Sequence, residues 1–302
     1  MKRVLIVAFA ALLPAFHLQA QDEAFGWMCQ RNDPVSVAMA GVSLAPSSDI
    51  SFSAFRNPAV IPYSESRFAV TAAYSPAVGD MTTGGLDVGV GMKTGERLGF
   101  SVAGNYNSCG EYEVIDDSGN RNGMFKTSSM MFSAGLGLKV IDALSVGINL
   151  KYAGERLASD SNQGVFASDV YALYRWRMLR FSAGLANVGT SVKDASGSSY
   201  HIPSSVRLAA GYVQTFEEKH SLEAGMDADC FFAGKFAVSG GVQYGFNGMV
   251  FARVGYRASG SDVIASGVSA GLGCKFHGVR VDFAYQRASS LNILAFSLGY
   301  SF

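Results

Sequence analysis

Few residues of this chain have the types and spacing that enzymes use. Residues 267–271, Gly-Val-Ser-Ala-Gly, fit the G-x-S-x-G pattern of serine hydrolases, which place the serine on a sharp turn between a strand and a helix. Alternation of apolar and small residues runs straight through this stretch, so Ser269 is predicted to lie within a strand and the match to be accidental. Loss of a hydrolase activity in a Ser269→Ala variant would revive the enzymatic interpretation.

Metal, phosphate and nucleic-acid motifs are not found either. Beyond the N-terminal apolar stretch, the histidines are His201, His220 and His277, which lie far apart without metal-ligand spacing. The stretch GVGMKTGER at 89–97 lacks P-loop spacing, and a net charge of zero gives no basic surface for nucleic acid. We therefore expect no catalytic residue, no cofactor, no metal site and no nucleic-acid partner.

The cysteines do not form a recognisable framework. Cys230 and Cys274 share parity with the outward apolar residues of their segments, where a cysteine acts as a small hydrophobic residue. A bridge between Cys29 and Cys109 is conceivable in an oxidising compartment. The sequence leaves that pairing open.

Alternation is the dominant pattern of the whole chain and indicates strands with two different faces. Charged residues make up only 16% and glycine 35 of 302 residues, with no second long apolar run after the N-terminus. This combination is typical of a transmembrane antiparallel β-barrel, whereas a secreted β-sandwich would carry more charge on its outer face. Fourteen alternating segments can be counted, an even number as single-chain bacterial barrels require. They fall at 68–74, 86–92, 98–106, 130–138, 144–152, 166–174, 179–185, 206–212, 222–228, 236–244, 250–256, 268–276, 279–285 and 296–302.

Short and long connections alternate between these segments. Short turns are predicted at 93–97, 140–142, 246–248 and 277–278, and longer loops at 107–127, 154–165, 188–204 and 258–266. Short periplasmic turns and longer extracellular loops are the asymmetry of outer-membrane barrels, and a sandwich gives no reason for it.

Inward positions are mostly small residues with scattered charges of both signs. Ion-pair networks that hold the lumen are the simplest interpretation. Arg253 and Arg257, on one strand near Asp227 and Asp229, are the best candidates for a selective interior site.

The first 66 residues do not alternate. Residues 1–20 have a short basic start, an apolar stretch and a Leu-Gln-Ala junction, so we expect a signal peptide cleaved before Gln21. Residues 21–66 must fit somewhere, and a fourteen-strand lumen is wide enough to hold peptide. We expect them to fold inside as a plug and residues 67–302 to form the barrel. The alternative is a loose periplasmic extension.

The stretch AMAGVSLAPSSDISFSAFRNPA resembles the N-terminal signature of the FadL-like outer-membrane superfamily, and more specifically the PorV/PorQ family of Bacteroidetes. The segments LSVGINLKYAGERL, DVYALYRWRMLRFSAGLANVG, IPSSVRLAAGY and GLGCKFHGVRVDFAYQRASSLNILAFSLGYSF agree with that resemblance. It implies a plugged barrel that serves the type IX secretion system of a Gram-negative bacterium at the outer membrane. The residues that carry the plug motif are Gly41, Asp49, Asn57, Pro58 and Ala59.

Two functions are compatible with this interpretation. The first is a non-enzymatic accessory that binds a secretion translocon or a secreted cargo protein, and the alternative is a FadL-like transporter for hydrophobic small molecules. In either case the barrel contacts outer-membrane lipid. The terminal residues Phe296, Leu298, Tyr300 and Phe302 should face that lipid, pair with the first strand and act as a signal for the outer-membrane insertion machinery.

Overall fold

The fold is an antiparallel barrel. The computed structural model describes residues 23–44, 49–76, 84–115, 119, 121–158, 161–193, 197–261, 263–289 and 292–302, so the predicted signal peptide lies outside the described residues. Fourteen strands close on themselves, which confirms the predicted all-β barrel. Within these ranges, no helix is both long enough and apolar enough to span a membrane.

The elements follow one another along the chain. The helix α1 spans Pro34–Ala38, and 3-10 helices span Gly26–Cys29 and Pro58–Tyr63. The strands are β1 Phe68–Ser75, β2 Gly84–Thr94, β3 Leu98–Ile115, β4 Arg121–Ile141, β5 Leu144–Ala158, β6 Ser161–Trp176, β7 Leu179–Gly189, β8 Val192–Lys193, β9 Ser199–Tyr200, β10 Ser205–Phe216, β11 His220–Phe231, β12 Phe236–Phe246, β13 Val250–Ser259, β14 Gly267–Phe276, β15 Val279–Ala288 and β16 Asn292–Ser301. The short strands β8 and β9 form a separate two-stranded sheet, and each remaining strand pairs with its neighbours around the barrel.

The barrel closes between β1 and β16, as the alternation of the last strand predicts. Ala69 lies opposite Ser301, and the register continues to Tyr74 opposite Phe296. The backbone of Phe302 exchanges two hydrogen bonds with that of Phe68, at 3.1 and 3.0 Å. Because β1 and β16 pair in this way, the described barrel has no open sheet edge towards lipid.

The two faces of the wall divide the residues by polarity. Outward side chains such as Val102, Phe132 and Leu150 are about 60% exposed, whereas their inward neighbours Ser133 and Lys151 are buried. This alternation confirms the predicted orientation of the strands. It leaves an apolar band for lipid and a polar lining for the lumen.

Six short turns join the strands at one end of the barrel, the end at which β1 begins and β16 finishes. Each turn has two or three residues, and Asn247-Gly248 and His277-Gly278 adopt the positive φ values that tight hairpin turns require. Short turns mark this end as periplasmic. The opposite end is therefore extracellular.

The predictions of extracellular loops at 107–127 and 154–165 are wrong. Most of these residues belong to the strands β3 to β6, which continue to pair by backbone hydrogen bonds. Backbone pairing does not require the lipid-facing alternation by which the segments were recognised, so it persists where the side chains become polar. The loop expected at 188–204 contains the β8–β9 pair, and the loop at 258–266 is present.

These long strands reach beyond the membrane. β3 has 18 residues and β4 has 21, whereas a strand needs only about 9 to 11 residues to cross the hydrocarbon region. Roughly seven or more residues of each strand therefore extend outward, and each residue adds about 3.4 Å to the length of the strand. We call the outer parts of β3–β6, residues 107–127 and 154–165, the outer hairpins.

Candidate functional site

The N-terminal segment, residues 23–66, packs against the inward side chains of the wall. Wall serines donate to its backbone carbonyls: Ser133 Oγ to Ala54 O at 2.7 Å, and Ser269 Oγ to Ala38 O at 3.0 Å. Ser269, the centre of the hydrolase-like pattern, therefore lies in β14 and tethers the segment. These wall serines could have been found from their inward parity, but the sequence does not reveal their partners.

The segment runs the length of the lumen. At the outer end, Ala24 N donates to His201 O at 3.0 Å, and Trp27 Nε1 donates to Glu155 Oε2 at 2.9 Å. At the periplasmic end, the 3-10 helix Pro58–Tyr63 packs against β2 to β6. In between, α1 contacts β13 to β16.

Gly41 and Asp49 form local turns within the segment. Gly41 has a φ of +82°, and its N–H donates to Ser36 O at 2.7 Å as the chain leaves α1. Asp49 accepts from Ser51 N at 3.0 Å and pairs with Arg56 at 3.4 Å. Burial alone would raise the pKa of the Asp49 carboxyl. The positive charge of Arg56 is the largest of the effects that lower this pKa, and together they hold it below its ordinary value.

Asn57, Pro58 and Ala59 build the start of the 3-10 helix. Asn57 Oδ1 accepts from Ala59 N at 3.0 Å, while its Nδ2 donates to Ser182 Oγ on the wall at 3.0 Å. Pro58 occupies the first helical position, where its missing N–H is not needed. Ser145 Oγ donates to Ala59 O at 2.6 Å, so this motif is anchored at both its side chain and its backbone.

Glycines in the wall let the 3-10 helix approach closely. A Cβ placed on Gly147 would lie 2.5 Å from Ala59 N and 2.9 Å from Pro58 Cγ. Neither separation is tolerated between real atoms, so only glycine fits there. The glycines whose number helped to predict a barrel thus also make room for the N-terminal segment against the wall.

The four predicted lumen charges do not form one cluster. Arg207 Nε pairs with Asp229 at 2.6 Å, and Asp227 accepts from Ser43 N at 3.1 Å. Arg257 donates to Ser239 Oγ at 2.9 Å and to Ala40 O. Two of these residues, Asp227 and Arg257, therefore bind the backbone of the N-terminal segment.

Arg253 belongs to a different network, nearer the periplasm. Its Nη1 lies 2.8 Å from Asp282 Oδ1, and its Nε donates to Gln243 at 2.6 Å. Arg280 Nε lies 2.7 Å from the other oxygen of Asp282. Both arginines also lie within 5.5 Å of the centre of the Phe251 ring. The arrangement is a buried ion-pair network, the simplest of the sequence interpretations.

The outer hairpins carry exposed apolar side chains away from lipid. Ile115 and Met124, near the tip of β3–β4, are 61% and 63% exposed. Below them, the Tyr112 and Phe125 rings pack at 5.5 Å, and the Arg156 guanidinium lies 5.2 Å from the Phe125 ring centre. A stiff base thus presents the two apolar side chains of Ile115 and Met124 to the outside.

Other predicted features are placed as follows. Cys230 and Cys274 are exposed on the outer face, as their parity predicts, and Cys29 is a buried free thiol. The side chain of Cys109 lies outside the described part of the chain. In the residues described, no group of three or more His, Cys, Asp or Glu side chains has metal-site geometry.

Comparison of sequences gives one family. The profile described as "Type IX secretion system protein PorV" matches residues 22–233, which is more than half of the chain. No curated protein matches the sequence.

Comparison of structures gives the same fold in several barrels. The toluene transporter TodX of Pseudomonas putida superposes with a TM-score of 0.64 at 12% identity, covering 94% of this chain and 99% of that chain. The toluene transporter TbuX of Ralstonia pickettii gives 0.60 at 12% identity, covering 89% and 98%. A FadL homologue of Pseudomonas aeruginosa gives 0.54 at 11% identity, covering 90% and 98%. At these identities the similarity concerns the fold alone.

Proposed function

Because the chain belongs to the PorV family of type IX secretion system proteins, we propose that it serves secretion by binding a protein partner, without a catalytic step of its own. It is a β-barrel of the Gram-negative outer membrane. The partner in this proposal is a translocon subunit or a secreted cargo protein. Residues 21–66 act as a fixed plug, and the outer hairpins act as the binding surface.

The tethered N-terminal segment is the observation that carries the proposal. Hydrogen bonds from the wall reach its backbone at Ala38, Ala54 and Ala59, along the length of the barrel. Each such bond contributes about 1 kcal/mol net, and several acting together oppose displacement of the segment. A lumen filled in this way favours a binding role over passage of a substrate.

The outer hairpins support the choice of surface. Exposed apolar side chains in lipid need no explanation, but Ile115 and Met124 lie on strands that extend past the membrane. Exposed apolar side chains near the end of a rigid hairpin are typical anchors of a protein interface.

A pull-down from outer membranes in mild detergent tests this function. Tagged wild-type protein should recover secretion-system subunits or cargo, identified by mass spectrometry. The double variant Ile115→Ser/Met124→Ser should recover at least about tenfold less. Met178→Ser is the matched control, since Met178 is an exposed methionine in a periplasmic turn. Equal recovery by the hairpin variant would contradict the assignment of the surface.

One observation favours the transporter alternative. The β6–β7 register shifts between Ser168 and Val170, opposite Asn187, whose φ is +53°. An apolar groove on the outer face adjoins this irregularity at Phe166 and Val188. If the wild-type protein is recovered without partners and with a bound hydrophobic small molecule, transport becomes the better conclusion.

A further inference from the structure

A small cavity lies at the extracellular mouth, away from the outer hairpins. Its volume is about 110 Å³. It sits between the N-terminal segment, residues 263–265 and the outer ends of β13, β15 and β16. The residues that line it are Cys29, Gln30, Arg31, Ser36, Val37, Ala40, Gly41, Arg257, Val263, Ile264, Ala265, Gln286, Ala288 and Ile293.

One of the residues that line this cavity has an unpaired hydroxyl. Ser36 is completely buried, and its Oγ has no hydrogen-bond partner among the described residues. The backbone N–H of Ser36 is satisfied by Asp33 Oδ1 at 2.9 Å, so only the hydroxyl is left over. Buried polar groups are nearly always paired, so this orphaned donor indicates a ligand acceptor in the cavity.

The charge of the lining is positive. Arg31 and Arg257 both line the cavity, and none of the lining residues that the structure describes carries a carboxylate. Arg31 Nη1 donates to Met28 O and Gln30 O, both at 3.0 Å, which leaves its Nε and Nη2 without a partner among the described residues. A guanidinium with free donors and a residue with an unpaired hydroxyl, in the lining of one cavity, suit an oxyanion.

Besides the arginines, Gln30 and Gln286 are uncharged polar members of the lining. Most of the remaining wall is aliphatic and comes from Val37, Val263, Ile264 and Ile293. A bare phosphate would leave these side chains uncovered. A ligand that fits both parts carries one anionic group on a short apolar stem.

The volume limits the length of that stem. An engineered apolar cavity of about 150 Å³ holds benzene, which has six heavy atoms, so a cavity of about 110 Å³ suits a ligand of roughly five. That is room for a carboxylate and two or three further carbons, and too little for a long acyl chain. We propose that this cavity is a binding site for a short-chain aliphatic carboxylate, held by Arg31 and Ser36. The site is independent of the partner surface on the outer hairpins.

Ligand binding to the full-length barrel in detergent tests this proposal. Sodium butyrate should raise the melting temperature, whereas butyramide, its neutral isostere, should not at the same concentration. In calorimetric titration, affinity across acetate, butyrate, hexanoate and octanoate should be highest for butyrate. Equal binding of butyramide, or affinity that keeps rising to octanoate, would overturn the assignment.

Two variants locate the site. Arg31→Gln and Ser36→Ala should each weaken butyrate binding, by at least about tenfold for the charged partner. Ser43→Ala is the matched control, because Ser43 Oγ is also buried without a partner but does not line the cavity. Heat-modifiable migration on gels shows whether each variant is folded. If Arg31→Gln does not fold, Ser36→Ala still tests the site. Unchanged affinity in a folded Ser36→Ala or Arg31→Gln variant would refute the site.

Discussion

Replacing Gly147 with alanine tests how the N-terminal segment is held, from the wall side of the contact. The added Cβ would lie 2.5 Å from Ala59 N, and that amide is already bonded to Asn57 Oδ1 at 3.0 Å. Ordinary contacts begin at 3.4 Å, so the 3-10 helix must move away by about 0.9 Å. Such a movement would stretch the 2.6 Å bond from Ser145 Oγ to Ala59 O to the limit of a hydrogen bond.

The cost of this change follows from two contributions. Overpacking a closely fitted site costs about 1 to 3 kcal/mol, and the weakened hydrogen bond adds about 1 kcal/mol. We therefore expect a loss of about 2 to 4 kcal/mol in the free energy of unfolding, measured by urea titration of the refolded barrel. Trypsin should also cleave after Arg56, which is only 5% exposed in the native structure.

Gly240→Ala is the control for this experiment. Gly240 lies on β12, and the nearest atom to its added Cβ is Gly225 O at 3.9 Å. This variant should unfold like the wild type and resist cleavage after Arg56. If Gly147→Ala and Gly240→Ala have the same stability and the same resistance to trypsin, the close docking of the segment is refuted.

Three other changes test separate parts of the structure. Asp282→Asn should cost about 3 kcal/mol in urea unfolding, because it removes the carboxylate with which both buried arginines, Arg253 and Arg280, pair; wild-type stability would contradict the network. Deletion of residues 300–302 should abolish assembly, since it removes part of the β1–β16 pairing, and normal surface levels of the truncated protein would refute this. Burial raises the pKa of Cys29 to about 11, so its alkylation should accelerate about tenfold per pH unit between pH 8 and 10. A rate independent of pH in that window would be inconsistent with a buried thiol.

Much of the wall could be predicted from the sequence because lipid imposes one rule on every strand. Outward residues such as Leu150 and Phe296 must be apolar over the whole membrane thickness, so strands could be counted and closure between the ends inferred. The outer hairpins escape this rule. Beyond lipid both faces of a strand meet water, and the alternation that identifies a strand in the membrane disappears.

Pairing inside the lumen could not be predicted for a different reason. Parity shows that Arg253 and Asp229 point inward, but it does not show the positions of strands across the lumen or the path of the segment between them. Arg253 pairs with Asp282, two strands away, and Asp229 pairs with Arg207 on the adjacent strand. Such partners depend on the strand register and on the position of residues 23–66, neither of which the local pattern contains.

The contacts of the N-terminal segment also constrain when it can dock. Residues Pro58–Tyr63 pack against β2 to β6, and α1 packs against β13 to β16. The segment precedes all of these strands in the chain, yet its two docking regions lie on opposite halves of the barrel. Its complete set of contacts therefore requires both halves, which meet across the β1–β16 pairing and are also linked through β7 and β10 to β12. A segment bound to both halves of the finished wall at many points favours a permanent structural plug over a gate that opens in each cycle of transport.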